Sequence, residues 1–445
     1  MSFYSVELPY RNDAAHYYAA LADLPWAVWL DSCGMARYDI LTAAPQRTLV
    51  LNAEDTHSEP FALLRSELGR TVPPVRDVPF AGGALGYWGY DLARRMYALP
   101  GVAEQAVHLP DMAVGIYDWA LVLDHQRRTA RLVSWQRFAE TVKLLPQILQ
   151  RLQGSSTLPS GTFRVQGKIT SNFTPGTYAA AFKRVQEYLQ AGDCYQVNLA
   201  QRFSATAGGD ALAAYLTLRS LSPAPYSAFL NLPQAQILCA SPERFLRVQN
   251  NCVETRPIKG TRPRGSDVQR DLQLAEELRT HPKDRAENLM IVDLLRNDLG
   301  KNCVPGSVRV PELFKVESYA NVHHLVSMVE GTLVEGRDAL HVLRDCFPGG
   351  SITGAPKQRA MQIIAELESH RRGIYCGAIG YAGFDGNMDS NIVIRTLVYS
   401  GNEICCWAGG GIVADSNAEA EYQETLDKAA GMLELLRRFG ATKSL

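Results

Sequence analysis

Four carboxylates are the first residues whose type and spacing could do chemistry. Asp284 and Glu287 lie three apart in a stretch, 282–297, that reads as a helix, so both side chains share one face. Glu421 and Glu424 repeat the arrangement in a C-terminal helix expected over 417–439. Carboxylates from two helices, with no His or Cys beside them, suit a hard, oxygen-seeking ion such as Mg2+. Such an ion takes one or two carboxylates and keeps positions for anionic substrate oxygens. Acidic residues at helical spacing also form ordinary solvated faces, and spacing alone favours that reading for each pair.

Lys259 is the second candidate. It sits in Thr255-Arg256-Pro257-Ile258-Lys259-Gly260-Thr261-Arg262-Pro263-Arg264, where two prolines and a glycine make the chain rigid and non-helical. A lysine held in such a frame can be aimed. To act as a nucleophile it must lose its proton, which desolvation or a nearby base assists. Glu243, one hairpin away, is placed to be that base. A lysine gathering anions with Arg256, Arg262 and Arg264 is the other reading, and sequence chemistry does not separate the two.

Glycine supplies a third set. Pro348–Lys357 (PGGSITGAPK) precedes a helix and Ala408–Gly411 (AGGG) follows a strand. Bare backbone amides can close on an oxyanion there, although tight turns are the commoner use of glycine. Neither stretch has dinucleotide or P-loop spacing. His323 and His324 complete the candidates; in a strand they face opposite ways, so only one can serve a given site.

The elements that must position these residues follow from periodicity and punctuation. Strands are expected at 26–31, 39–43 and 48–52, and a helix at 60–68. The run 112–124 and the segment 130–135 read as a hairpin, followed by a helix over 137–152. Polar 153–161 is the linker candidate. Beyond it come a helix at 174–191, strands at 195–203, 227–232 and 236–240, and a hairpin of 245–248 with 252–256. Two helices, 267–280 and 282–297, precede strands at 325–332, 375–384, 392–399 and 403–407. Helices at 339–346, 356–367 and 417–439 close the pattern. Hairpin-spaced strands with packed helices argue for an α+β fold with largely antiparallel sheets.

Composition excludes several classes. Forty-five basic residues face 46 acidic ones, a net charge of −1, so nothing points to nucleic acid or a membrane surface. Nine scattered cysteines without a CxxC pair disfavour zinc and a disulfide framework. The first residues lack a basic stretch followed by an apolar run, and no apolar stretch is long enough to span a bilayer. A cytoplasmic protein in a reducing compartment is expected.

TRPIKGTRPRG, AENLMIVDLLRND (286–298), FPGGSITGAPK (347–357), AGGGIVADS (408–416) and EYQETLDKA (421–429) together resemble the chorismate-utilising enzymes, a family that includes anthranilate, aminodeoxychorismate, isochorismate and salicylate synthases. GGALGYWGYDLARRM (82–96) and LPDMAVGIYDWALVLDHQR (109–127) resemble its amino-group-adding branch. The resemblance implies an anthranilate synthase component I-like fold, a sandwich of largely antiparallel sheets flanked by helices. It also implies an N-terminal region over 1–152 and a chorismate-binding catalytic domain over 170–440. Lys259 in PIKGT resembles the mark of the aminodeoxychorismate synthases, where the anthranilate synthases typically carry Ala; there it attacks the substrate and Glu243 is catalytic. Gln196 stands where isochorismate and salicylate synthases place a water-activating Lys, so ammonia is the implied final nucleophile.

By the same resemblance Glu287 and Glu424 would hold Mg2+, with Asp284 and Glu421 beside them. Asp284 stands where the family usually has Glu, one methylene longer. Arg395, Tyr381 and the amides of Gly409, Gly410 and Gly411 would hold the enolpyruvyl carboxylate of chorismate. Ser351, Lys428 and Gln196 would line the pocket, and His324 would be the acid/base near the departing hydroxyl. None of the cysteines lies in an amidotransferase nucleophile turn, so a separate glutamine amidotransferase subunit is implied as the ammonia source. Anthranilate synthase component I is the nearest alternative, and a non-catalytic chorismate- or tryptophan-binding relative a further one. Trp29-Leu30-Asp31-Ser32 and Ser222-Pro223-Ala224-Pro225-Tyr226-Ser227 partly match the segments with which anthranilate synthases bind tryptophan. Ser32, Arg37, Tyr38, Pro225, Tyr226 and Ser227 are thus the expected walls of an L-tryptophan pocket, and Trp29, Asp31 and Ala224 the departures that would fill or reshape it.

Overall fold

A computed structural model describes residues 3–440 except 56–58, 102, 106, 155–160 and 320–321. The expected linker, 153–161, lies mostly among the residues outside that description. The fold is α+β, as expected, and is built on two sheets in which every strand pair is antiparallel. The first runs Tyr4–Leu8, Thr129–Ser134, Trp119–Asp124, Tyr38–Thr42, Ala27–Asp31, Tyr226–Asn231, Gln236–Ser241, Thr396–Ser400, Glu403–Ile412, Gln196–Gly209 and Gly354–Ala355, with Phe163–Ser171 also pairing onto Gln196–Gly209. The second runs Ile258–Pro263, Val322–Thr332, Cys252–Thr255, Arg244–Gln249, Met388–Ile392, Ala378–Gly383, Gly83–Trp88, Met112–Tyr117 and Arg47–Leu51, with Arg309–Ser318 against Val322–Thr332. Each sheet takes strands from both the 1–152 and the 170–440 segments. Ala27–Asp31 pairs with Tyr226–Asn231, and Gly83–Trp88 with Ala378–Gly383.

Side-chain alternation explains the layering. Val28 and Leu30 face the second sheet, in a core with Ile40, Leu85, Val114 and Ile379. Trp29, between them, faces outward onto Tyr18, Tyr215 and Phe229. The outer face of the first sheet is covered by the helices Ala139–Gln153, Ala211–Leu221 and Ala418–Arg438 through Leu145, Ile148, Tyr215, Met432 and Leu435. Pro175–Gln190 and Lys357–Leu367 cover Val197, Leu199 and Ile412 through Tyr178, Phe182 and Ile364. Thr174 caps the first of these, with Pro175 at its start, the punctuation that marks it in sequence.

Two readings change. The run 112–124 is not one hairpin arm: it breaks at buried Asp118, so Met112–Tyr117 joins the second sheet and Trp119–Asp124 the first. One oxygen of the Asp118 carboxylate accepts from Phe138 N at 3.0 Å, which ties the corner to the start of the following helix. The run 392–399 is likewise two strands, ending at Ile392 and resuming at Thr396, with Arg395 at φ +50° between them. Apolar side chains flank both breaks because both sheets are buried there, so each run reads as one strand despite the single charged residue, Asp118 or Arg395, at its break. Among the described residues no helix is long and apolar enough to cross a membrane, and all nine cysteines are free thiols.

Candidate active site

The second sheet's edge, the glycine-rich end of Glu403–Ile412 and two helices enclose a cavity of about 760 Å³. Twelve of the expected residues line it: Glu243, Lys259, Asp284, Glu287, His324, Ser351, Arg395, Gly409, Gly411, Glu421, Glu424 and Lys428. Lys259 rises from the strand Ile258–Pro263. Gly260 beside it has φ +79°, and a Cβ there would lie 2.8 Å from Leu278 and 2.9 Å from Asp284, so only glycine lets this strand approach the helices. The Lys259 ammonium donates to the Ser351 carbonyl at 3.1 Å, and the Ser351 hydroxyl donates to Glu243 at 2.8 Å. Ser351 therefore joins nucleophile candidate and base candidate through its two ends.

Burial tunes both groups. Desolvation holds the Lys259 ammonium below its ordinary value, against the opposing pull of Glu287. Desolvation pushes the Glu243 carboxyl up to about 7, although Ser351 and Lys259 pull it down. The shifts run toward each other, so proton transfer between the pair costs far less than for the free side chains. His324 lies on the neighbouring strand, paired with Thr261, whose hydroxyl is 2.9 Å from its Nδ1. Burial first, and Arg395 second, lower His324 to about 4, which leaves the imidazole neutral at ordinary pH. His323 points the other way, into Asp271 and Ser318, and is structural. Among the described residues the Arg395 guanidinium has no hydrogen-bond acceptor, and its backbone is in the left-handed region that non-glycine residues seldom occupy. A cation so held is ready for an anion that enters the cavity.

The carboxylates divide by helix. Glu287, on Pro282–Gly300, has Lys283 at 3.9 Å, and burial raises its carboxyl. Asp284 is engaged by Arg262 at 3.0 Å and His281 at 3.1 Å. On Ala418–Arg438, burial raises Glu421, which has one oxygen bonded to Ser416 and the other, buried, without a partner. Burial would also raise Glu424, but Lys428 at 2.6 Å, together with Lys259 and Lys283, outweighs it and lowers the carboxyl. Among the described residues no three His, Cys, Asp or Glu side chains form a metal cage. An orphaned carboxylate oxygen and an all-carboxylate donor set on facing helices fit a hard cation that completes its shell with water and substrate oxygens.

Three expected site residues lie elsewhere. Tyr381 packs on Phe80 at 5.1 Å and lines a separate cavity; strand alternation sends it to that side, and Tyr375 faces the active-site cavity instead. Tyr375 stacks on Trp407 at 6.2 Å. Sequence reasoning missed both rings: Trp407 sits just outside the 408–411 glycines that drew notice, and Tyr375 lies in no motif at all. Gln196 is fully buried behind the wall: a Cβ on Gly411 would come within 2.4 Å of its Nε2. Gly410 is not on the cavity surface; it lies behind the lining carboxylates, and a Cβ there would be 2.8 Å from Glu421 and 3.5 Å from Glu424.

The separate cavity, about 620 Å³, lies between the two sheets and is lined by Arg37, Tyr38, Pro225, Tyr226 and Ser227, five of the six expected tryptophan-pocket residues. Ser32 does not reach it: its amide donates to Asp39 and its hydroxyl accepts from Gly34 N within the turn. Trp29 faces the opposite side of its strand and fills none of the cavity, and the Asp31 carboxylate points to that same outer side, where Tyr215 and Arg219 bond it.

Residues 26–434 match the family model described as chorismate binding enzyme. The chain is 51% identical to aminodeoxychorismate synthase component 1 of Escherichia coli, covering 97% of this chain and 98% of that one. It is 42% identical to anthranilate synthase component 1 of Thermus thermophilus, covering 90% and 89%. Among solved structures, anthranilate synthase component I from Streptococcus pneumoniae superposes with a TM-score of 0.81 at 32% identity, over 89% of this chain and 92% of that one. The menaquinone-specific isochorismate synthase of Escherichia coli shares the fold, at TM-score 0.75 and 19% identity, over 98% of this chain and 94% of that one. With the match spanning both sheets and every wall of the cavity, this chain belongs to the chorismate binding enzyme family.

Proposed function

We propose that the chain is the large component of an aminodeoxychorismate synthase, which replaces the 4-hydroxyl of chorismate with an amino group on the way to 4-aminobenzoate and folate. The observation that carries this reading is Lys259: a desolvated amine on a rigid strand, hydrogen-bonded only to a carbonyl, with a carboxyl near pKa 7 one residue away through Ser351. Its full-length relatives of about half identity carry that activity in their names, which supports the same assignment.

In this reading Arg395 and the Gly409 and Gly411 backbone grip the enolpyruvyl carboxylate. Glu243 takes a proton from Lys259, whose freed amine attacks ring carbon 2. Both ring double bonds shift toward C4, the C4–O bond breaks, and the hydroxyl leaves as water with a proton delivered from the His324 side. Substrate carboxylate at Arg395 removes one of the causes that keep His324 deprotonated in the free enzyme. Ammonia then attacks C4, both double bonds shift back, and Lys259 departs. Two displacements replace one difficult substitution. The pyruvyl ether is retained. Glu287 and Glu424, with Glu421 and Asp284 adjoining, would hold Mg2+, which when bound supplies positive charge to the ring carboxylate. A separate glutamine amidotransferase subunit delivers the ammonia, in the cytoplasm.

The test is product analysis with chorismate, Mg2+ and ammonium, together with mass spectrometry of enzyme trapped with substrate in the absence of ammonia. Aminodeoxychorismate and an adduct on Lys259, absent from Lys259→Ala, are expected. Anthranilate as product moves the chain to the tryptophan branch, and full turnover by Lys259→Ala removes the nucleophile.

The cavity between the sheets supports a second ligand. Its volume and the Tyr38 and Tyr226 rings suit a bound L-tryptophan.

A further inference from the structure

Arg372 is among the largest fully buried side chains in the protein, and it is the one charged residue in that set. Its side chain is 1% exposed and that of its partner Glu368 is 4% exposed. Burying such a pair is costly unless every donor and acceptor is matched, and a pair of apolar residues would fill the volume as well. The residues it matches are therefore informative.

The guanidinium makes a two-point fork with Glu368, Nε to Oε2 at 2.9 Å and Nη2 to Oε1 at 2.6 Å. Its remaining donors leave the pair: Nη1 donates to the Ile352 carbonyl at 3.1 Å and Nη2 to the Asn198 carbonyl at 2.7 Å. Glu368 in turn accepts from Ala200 N at 2.9 Å. The flat face of the guanidinium lies 5.6 Å from the centre of the Tyr375 ring and 4.9 Å from that of Tyr90. Ile352, Asn198 and Tyr375 all line the active-site cavity, and Tyr375 supports Trp407 on the same wall. Ile352 adjoins Ser351, whose carbonyl receives Lys259 and whose hydroxyl reaches Glu243. Arg372 itself does not line the cavity.

We propose that Arg372, clamped by Glu368, is a positioning residue of the active site: it fixes the turn Gly350–Ile352, the strand at Asn198 and the Tyr375 ring in one geometry, and so sets where Ser351 meets Lys259 and Glu243. The assignment rests on the reading of this cavity as the chorismate site. Lysine cannot replace it. A single ammonium can keep the charge opposite Glu368, but it has no fork to span two carbonyls and no plane to lie on Tyr375. A reacting group displaced by about 1 Å loses roughly a hundredfold in rate, so small slack in this turn is expected to show in kcat rather than KM.

Two variants test it. Arg372→Lys retains the charge pair, and the double variant Arg372→Met/Glu368→Leu removes both charges while keeping the volume filled. Each is assayed for kcat, KM and the rate of adduct formation on Lys259. Hydrogen exchange of the backbone is followed without substrate, which makes that measurement independent of the functional reading. The expected result is a folded protein with about a tenfold or greater loss in kcat and adduct rate, KM within about threefold, and faster exchange at 349–356 and around Asn198–Ala200 but not elsewhere. If wild-type enzyme proves inactive on chorismate, the functional reading fails while the exchange result still judges the clamp. A folded variant with wild-type kcat and unchanged exchange overturns the proposal. So does global loss of protection in both variants, which would make the pair a folding element and nothing more.

Discussion

At the scale of the residue, the active site depends on proton positions set by burial. Glu243 is 6% exposed and desolvation moves its carboxyl from an ordinary 4.5 to about 7. Below pH 4.5 it is protonated folded or unfolded and the shift has no effect. Between 4.5 and 7 the folded chain keeps a proton that the unfolded chain has released, so stability falls as pH rises and the loss is complete above 7, on the order of 3 kcal/mol. Glu243→Gln carries no such loss. Its melting temperature is expected to gain on wild type between pH 5 and pH 8; an unchanged difference at the two pH values would contradict the raised carboxyl. The same group governs rate. A base with this value leaves a limb in the pH profile of kcat/KM near 7, with activity rising toward higher pH. Glu243→Gln is expected to flatten that limb and lower the rate by about a hundredfold or more, the usual worth of a positioned proton acceptor.

At the scale of the element, two helices bring carboxylates to one cavity from positions more than a hundred residues apart in sequence. Glu287→Gln and Glu424→Gln should each leave the fold intact, since neither side chain packs a core. Each should raise the Mg2+ concentration for half-maximal activity roughly tenfold or more, as loss of a charged oxygen ligand does. Asp284→Asn should have the smaller effect, because Arg262 and His281 already occupy that carboxylate. An unaltered Mg2+ dependence in both glutamine variants would return Glu287 and Glu424 to a solvated face. The sequence made these helices legible. Pro282 opens one and Asn417 caps the other, and i, i+3 spacing placed each acidic pair on one side. Lys259 was legible for a related reason, since the flanking prolines restrict the backbone locally and Gly260 permits the positive φ found beside it. Tyr375, Arg372 and the break before Arg395 were not. Their roles come from where two sheets meet, and buried apolar runs look alike whether the strand continues or turns. Tyr381 was misplaced for the same reason: one strand reverses its facing with every residue, and the starting point of that alternation is set by a turn at Cys376, φ +66°, that leaves no mark in hydropathy.

At the scale of the whole molecule, the two sheets are held as one body by strands from both ends of the chain, and the gap between them contains a cavity far from Lys259 in the fold's layering. Arg37, Asp77 and Asp124 neutralise one another at its mouth, and Arg244 is matched by Asp389 and Glu254, so the charged lining is largely self-paired. Asp31 is also matched by Arg219, from the opposite side, and desolvation raises its carboxyl. What the cavity offers a ligand is therefore aromatic and apolar surface with a few polar edges, the balance an amino acid with a large flat side chain requires. L-tryptophan binding the folded chain alone stabilises it by linkage, about 2.7 kcal/mol at a hundredfold excess over Kd. A thermal-shift titration is expected to show a rise in Tm that saturates with tryptophan. A ligand that copurifies and never leaves would give no rise, so denatured protein should also be examined for released tryptophan by chromatography. A flat titration together with no released amino acid would reduce the cavity to an imperfection in sheet packing. A saturating rise that Leu30→Trp abolishes, with Lys259 capture of chorismate intact in that variant, would place the amino acid between the sheets.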